Sequence, residues 1–68
     1  MDRIPVQSSD IRLVGFENGV LEITFHSGGV YRFIHVPTEV HRLLMEAPSK
    51  GKFFNQHIKN KYTFQRLR

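Results

Sequence analysis

The fold is decided by the stretch GGVYRFIHVP at residues 28–37. Two glycines open the stretch and Pro37 closes it, so the residues between them are predicted to form one strand, bounded by a turn and by the start of a helix. Because side chains alternate between the two faces of a strand, Tyr31 and Phe33 share one face and Arg32 lies on the other. This pattern predicts that the two rings pack in the core while the guanidinium points outward.

Two further strands precede this stretch. The first is predicted over residues 11–16, and its apolar pattern does not assign a buried face. The second covers residues 20–26, where Leu21, Ile23 and Phe25 alternate with polar residues and are expected to be buried. Asn18-Gly19 between the two strands predicts a type I′ hairpin, because that turn needs positive φ at both central positions.

The pairing between the second strand and the third has more than one register. The preferred register pairs Phe25 with Tyr31 and Ile23 with Phe33, so that the apolar side chains of both strands share one face. A shorter loop would instead set Phe25 beside Arg32 or Val30.

Two short helices are predicted after the strands. Pro37 suits the first turn of a helix because its missing N–H would have no partner there. That helix carries an apolar stripe with i, i+3, i+4, i+7 spacing. The stripe consists of Val40, Leu43, Leu44 and Ala47.

The second helix is predicted over residues 50–58, with Ser49 as its N-cap. Phe54 and Ile58 lie on its apolar side, while Lys52 and Lys59 lie on the opposite side. The fold class is therefore α+β: a three-stranded antiparallel β-meander followed by two short helices.

The two ends of the chain are less regular. Residues 1–9 are predicted to be a flexible N-terminal lead, with Ile4 or Val6 attached to the sheet. Residues 61–68 form either a short C-terminal strand through Tyr62 and Phe64 or a basic tail. Residues 10–68 are predicted to be one domain.

The composition predicts a soluble cytoplasmic protein. The chain has 68 residues and no cysteine, so it lacks disulfides and thiolate metal sites and is stabilised by its own core. Nothing in residues 1–10 resembles a signal peptide, and no apolar run approaches the roughly 20 residues that span a bilayer. We expect a monomer without membrane contact.

The charge is unevenly distributed along the chain. All six acidic residues and four of the ten Lys and Arg residues precede Ala47. Residues 47–68, called the basic segment below, contain the other six cations and no acid. A surface of one sign attracts polyanions. The plain alternative is that these charges only keep a small protein soluble.

Nucleic-acid binding needs cations for phosphates and aromatic rings on which bases stack. Tyr31 and Phe53 are the candidate stacking residues, although core packing is the alternative for every ring in the chain. Ser49-Lys50-Gly51-Lys52 is either an anion site at a helix N-terminus or an ordinary capped turn. The predicted nucleic-acid-binding residues are Arg32, Lys50, Lys52, Lys59, Lys61, Tyr62, Arg66 and Arg68.

Catalysis has little support in the sequence. The four histidines show no zinc-protease spacing, and the four serines occur in no nucleophile motif. No metal and no cofactor are implied. We therefore predict a protein that is not an enzyme.

The order of these features resembles the KTSC domain, a small module found at the C-terminus of some lysyl-tRNA synthetases and alone in short bacterial proteins. The resemblance implies the fold described above and RNA, including tRNA, as a ligand. The family has a central Tyr-x-Tyr where this chain has Tyr31-x-Phe33, which removes one hydroxyl and retains both rings. The matching stretches are Ser8-Ser9 before Ile11, Val14-Gly15-Phe16, Leu21 to Phe25, Gly28, Tyr31-Arg32-Phe33, Val36-Pro37, Leu43-Leu44, Ser49 to Asn55, and Ile58 with Tyr62.

The predicted function is a non-catalytic RNA-binding accessory domain that uses the basic segment. The alternative is a protein-interaction module, which would bind an acidic partner or accept a strand at a sheet edge.

Overall fold

The chain folds into five strands and two helices. The computed structural model describes residues 1–68. No helix is long and apolar enough to cross a membrane. In chain order the elements are β1 (Arg3–Pro5), β2 (Ile11–Glu17), β3 (Val20–Phe25), β4 (Val30–Phe33), α1 (Thr38–Glu46), α2 (Lys50–His57) and β5 (Phe64–Arg66).

The strands form one antiparallel sheet in the order β1-β2-β3-β4-β5. The α+β class and the two helices are confirmed, but the sheet has five strands and not three. The two added strands have three residues each. β5 is the short C-terminal strand given above as one of two alternatives, and it includes Phe64 but not Tyr62. β1 attaches Ile4 to the sheet, as expected, by pairing it with Val14.

The turn between β2 and β3 has the predicted conformation. Asn18 and Gly19 adopt φ values of 51° and 79°, so both central positions are left-handed as a type I′ turn requires. The indistinct pattern of β2 also has a physical cause, because the register shifts between Ile11 and Leu13. This bulge places Ile11 and Val14, three residues apart, in the same core.

The predicted register between β3 and β4 is wrong by two residues. Tyr31 pairs with Ile23, and Phe33 pairs with Leu21. The hairpin closes early, where the Phe25 amide donates to the Gly29 carbonyl over 2.9 Å, because Gly28 turns the chain with a φ of 102°. A shift of two preserves the faces, so the predicted grouping of apolar side chains is retained.

The core lies between one face of the sheet and the two helices. Leu44 is the buried residue of α1 and Phe54 that of α2. Leu43, predicted to belong to the apolar stripe of α1, is 40% exposed, because this short helix contacts the sheet through a narrower stripe than the spacing suggested. The core residues are Ile11, Val14, Leu21, Ile23, Phe33, Val36, Leu44, Phe54 and Ile58.

The helix starts are set by local sequence. Pro37 is the N-cap of α1, one position before the helical residues. Ser49 is the N-cap of α2, as predicted, and its side chain accepts a hydrogen bond from the Lys52 amide over 3.4 Å.

The outer face of the sheet contains a buried carboxylate. Glu22, expected on the solvent side, is only 2% exposed because Arg3 from β1 and Arg32 from β4 cover it. Hydrogen bonds from Arg3, and then from Arg32, hold the pKa of Glu22 below its usual value, although burial opposes this shift. Local alternation could not reveal this arrangement because Arg3 comes from a distant part of the chain.

Candidate nucleic-acid interface

An open groove of about 810 Å³ lies between α2 and the β4–β5 edge of the sheet. We call it the aromatic groove because five of its lining residues are Phe or Tyr. Its volume is within the range of about 300–1,000 Å³ that is typical of ligand sites. The lining residues are Ser9, Asp10, Phe25, His26, Ser27, Gly29, Tyr31, Phe33, Gly51, Phe54, Asn55, Lys59, Asn60, Phe64 and Arg66.

Strand register explains how the rings come together. Tyr31 pairs with Arg66 and Phe33 pairs with Phe64 across β4 and β5. Paired residues share a face, so Phe64 and Arg66 lie on the side of the sheet that the helices cover. Beyond α2 this face is uncovered, and the groove forms there.

All five rings of the aromatic groove pack on one another. Phe54 contacts Phe25 and Phe33 edge-to-face, with ring centroids 5.4 and 5.5 Å apart. Phe64 lies against Tyr31 and Phe33 at 5.6 and 5.8 Å, yet it remains 52% exposed. Phe64 is therefore the most accessible ring of the groove.

Two of the predicted cations line the aromatic groove, namely Lys59 and Arg66. The Arg66 guanidinium carbon lies 5.6 Å from the centroid of the Tyr31 ring, within cation–π distance. Its Nε also donates to the Arg68 carbonyl over 2.7 Å. Tyr31, a predicted stacking residue, is therefore partly covered by a cation.

Two other predicted cations make contacts within the fold. Arg32 Nε donates to Glu22 over 2.9 Å on the outer face of the sheet. Lys50 Nζ donates to the Ala47 carbonyl over 3.0 Å, just after α1. Arg32 thus has a carboxylate partner, whereas Lys50 contacts only a neutral carbonyl and its charge is not balanced.

The remaining predicted residues lie outside the aromatic groove. Lys52, Lys61 and Arg68 are exposed. Tyr62 is half-buried against the core, as is Phe53, whose ring centroid is 4.6 Å from that of His57. The structure therefore does not bring Phe53 together with Tyr31.

The basic segment contains no ion pair. Every salt bridge in the structure involves the N-terminal ammonium, Arg3, Arg32 or Arg42. The six cations after Ala47 therefore have no carboxylate partner, and their positive potential is not neutralised by side chains.

A smaller polar cleft lies at the N-terminus of α2, around Ser49-Lys50-Gly51-Lys52. The side chain of Asp10 approaches Gly51 so closely that a Cβ there would lie 2.9 Å from its Oδ2. The protein thus places its own carboxylate near this helix start, where an external anion was considered. No group of three or more His, Cys, Asp or Glu side chains comes together to hold a metal ion.

Sequence reasoning missed Phe64, Phe25 and Asn60 as residues of the groove. The sequence indicates Phe64 only as part of a short terminal strand, because no periodicity marks it as a ligand contact. Its pairing with Phe33 brings it to the groove, and both helices lie between these two residues in the chain.

The fold and the groove define a small α+β domain with one concave, partly basic site. Residues 7–62 match the model of the KTSC domain, and the chain belongs to this family. It is 46% identical over 61 residues to an uncharacterised protein of Stutzerimonas stutzeri, covering 87% of this chain and 86% of that protein.

Two further relatives extend the comparison. The crystal structure of a KTSC domain protein from Yersinia pestis superposes with a TM-score of 0.95 at 39% identity, covering 98% of this chain and 97% of the other. A lysine–tRNA ligase of Nostoc punctiforme is 49% identical over 47 residues, which are 69% of this chain and 8% of the ligase. The chain therefore resembles a small part of that enzyme.

Proposed function

We propose that this KTSC domain is a non-catalytic accessory domain that binds RNA through the basic segment. The observation that carries the proposal is the absence of any ion pair among its six cations, two of which line the aromatic groove. Unpaired cations attract phosphates, and nearby rings add stacking.

The ligase relatives support RNA as the polyanion. Lysine–tRNA ligases of Nostoc punctiforme and Trichormus variabilis contain a segment similar to this chain. Their name identifies tRNA as a molecule on which those enzymes act. Transfer RNA is therefore the first probe to use with this domain.

The test is a fluorescence anisotropy titration of labelled tRNA and of a labelled single-stranded RNA at two salt concentrations. Binding should weaken with salt, because each phosphate contact on a single strand contributes a slope of about −0.7 in log K against log salt. Absence of binding to both RNAs at low salt would overturn the proposal.

A non-catalytic role is supported by the chemistry of the groove. Cleavage of RNA by acid–base chemistry needs a general base and a general acid that both reach the scissile phosphodiester. His26 is the only histidine in the aromatic groove, and its Nε2 lies 2.9 Å from the Ser8 carbonyl oxygen. Nuclease assays on the same RNAs should therefore show no cleavage.

The alternative function is strand addition by a partner protein at β5. Thr63 accepts from the Ile34 amide over 2.9 Å, and Leu67 donates to the Val30 carbonyl over 2.7 Å. The backbone groups of Thr63 and Leu67 therefore point towards β4. Because the direction of these groups alternates along a strand, the backbone N–H and C=O groups of Phe64 and Arg66 point away from β4. Partner binding at this edge should depend only weakly on salt, which distinguishes it from RNA binding.

A further inference from the structure

The rings of the aromatic groove differ in how much of each is free for a ligand. Phe33 and Phe54 are buried, at 3% and 8% exposure. The Arg66 guanidinium lies over Tyr31. Phe64 is supported by two rings and is still 52% exposed. A flat ligand would therefore stack on Phe64.

The charges give the aromatic groove a direction. Asp10 lies beside Gly51 at one end, and Lys59 follows α2 at the other. At the Gly51 end the Asp10 carboxylate offsets part of the charge of Lys50 and Lys52, which line the same cleft. Lys59 has no carboxylate partner, so its end of the groove attracts phosphates.

The groove walls also contain uncharged hydrogen-bonding groups. Asn55 and Asn60 both line the groove and are exposed. A side-chain amide both donates and accepts, so it can pair with the edge of any base. This favours a heterocycle with a polar edge over a purely apolar ligand.

We infer that the aromatic groove binds one unpaired nucleobase of single-stranded RNA, stacked on Phe64, with the adjoining phosphates at Lys59 and Arg66. The inference rests on the proposed RNA binding and names the part of the RNA that enters the site. An A-form duplex keeps its bases stacked inside, so it presents phosphates to the cations and no free base face to Phe64.

The experiment compares a single-stranded 12-nucleotide RNA with the 12-base-pair duplex of the same sequence, both fluorescently labelled and at one low salt concentration. The single strand should bind more tightly than the duplex. Phe64→Leu retains an apolar side chain but removes the ring, and it should weaken single-strand binding by about tenfold or more. Phe64→Tyr keeps the ring and should bind like the wild type.

Two further variants separate loss of the site from loss of the fold. Asn55→Met places a longer side chain without a flat ring in the groove, from an exposed position on α2, and it should weaken single-strand binding while duplex binding persists. Ile4→Ala truncates another exposed apolar residue, at the far edge of the sheet, and should change neither affinity. Circular dichroism and urea unfolding verify that each variant is folded.

The outcomes distinguish this inference from the proposed function. Equal binding of single strand and duplex, with the affinities of Phe64→Leu and Asn55→Met unchanged, would overturn the stacked base and leave phosphate binding intact. Failure of both RNAs to bind would overturn the RNA-binding proposal and the inference together.

Discussion

Arg32 donates from Nε to Glu22 over 2.9 Å across the pairing between β3 and β4. Arg3 reaches the same carboxylate from β1 on the other side. One buried carboxylate therefore connects three strands of the sheet. Arg32 therefore shares a carboxylate partner with Arg3, whereas the cations of the basic segment have no carboxylate partner.

Glu22→Gln should lower the free energy of unfolding by about 1 to 2 kcal/mol at neutral pH, because charge-assisted hydrogen bonds are lost. Since the folded-state pKa of Glu22 lies below the usual 4.5, its contribution is present above about pH 4.5 and is lost as pH falls through the folded-state pKa. Urea unfolding at pH 7 and at acidic pH should show that the free energy of unfolding falls less with decreasing pH in Glu22→Gln than in the wild type. Glu39→Gln, in an exposed pair with Arg42, should leave stability unchanged.

Arg32→Gln and Lys59→Gln should affect different properties: the first should change stability, and the second should change RNA binding. Arg32→Gln should reduce stability and leave tRNA affinity unchanged, because this guanidinium binds Glu22. Lys59→Gln should leave the midpoint of urea unfolding unchanged. The slope of log K against log salt for RNA binding should become less negative by about 0.7, the contribution of one phosphate contact. A loss of affinity in Arg32→Gln with unaltered salt dependence in Lys59→Gln would place the RNA on the outer face of the sheet.

Gly15→Val should detach β1. A Cβ at Gly15 would lie 2.8 Å from the Met1 Sδ and 3.2 Å from the Asp2 carbonyl oxygen, so the first residues must move. Hydrogen exchange should become faster at the Val6 amide, which donates to Arg12 just beyond β1, while the Phe25 amide stays protected. Gly29→Ala is the control, since its Cβ meets only ordinary contacts. Unchanged exchange at Val6 would contradict this account.

Phe33→Ala should cost about 3 to 5 kcal/mol, because Phe33 is 3% exposed and contacts Phe54. A domain of this size has only about 3–5 kcal/mol of stability, so the variant should be largely unfolded by circular dichroism. Phe64→Ala removes a ring that is 52% exposed and should stay folded. Equal stability of the two variants would show that Phe33 is not a core residue in solution.

The parts that could be predicted from sequence are those encoded by short-range patterns. Asn18-Gly19 specifies its turn, Ser49 caps its helix, and alternation places Tyr31 and Phe33 on the core face. Each of these features depends on residues close together in the chain. The family resemblance, which the match over residues 7–62 confirms, rests on the same features in order.

What could not be predicted depends on distant pairing. Glu22 lies on the outer face, as alternation indicates, but its burial there depends in part on Arg3, 19 residues away. Phe64 becomes a groove residue only through its pairing with Phe33. The register of β3 and β4 was missed because three-residue loops over 26–28 and over 27–29 put the same side chains on the same faces, so alternation does not distinguish them.

The pairing of β4 with β5 also has a kinetic meaning. Pairings β1–β2, β2–β3 and β3–β4 join neighbouring strands through short loops, whereas β4–β5 closes a loop that contains both helices. Long loops cost more entropy to close, so contacts of high contact order form late in folding. We therefore expect the meander to assemble first and the aromatic groove to be the last part of the molecule to appear during folding.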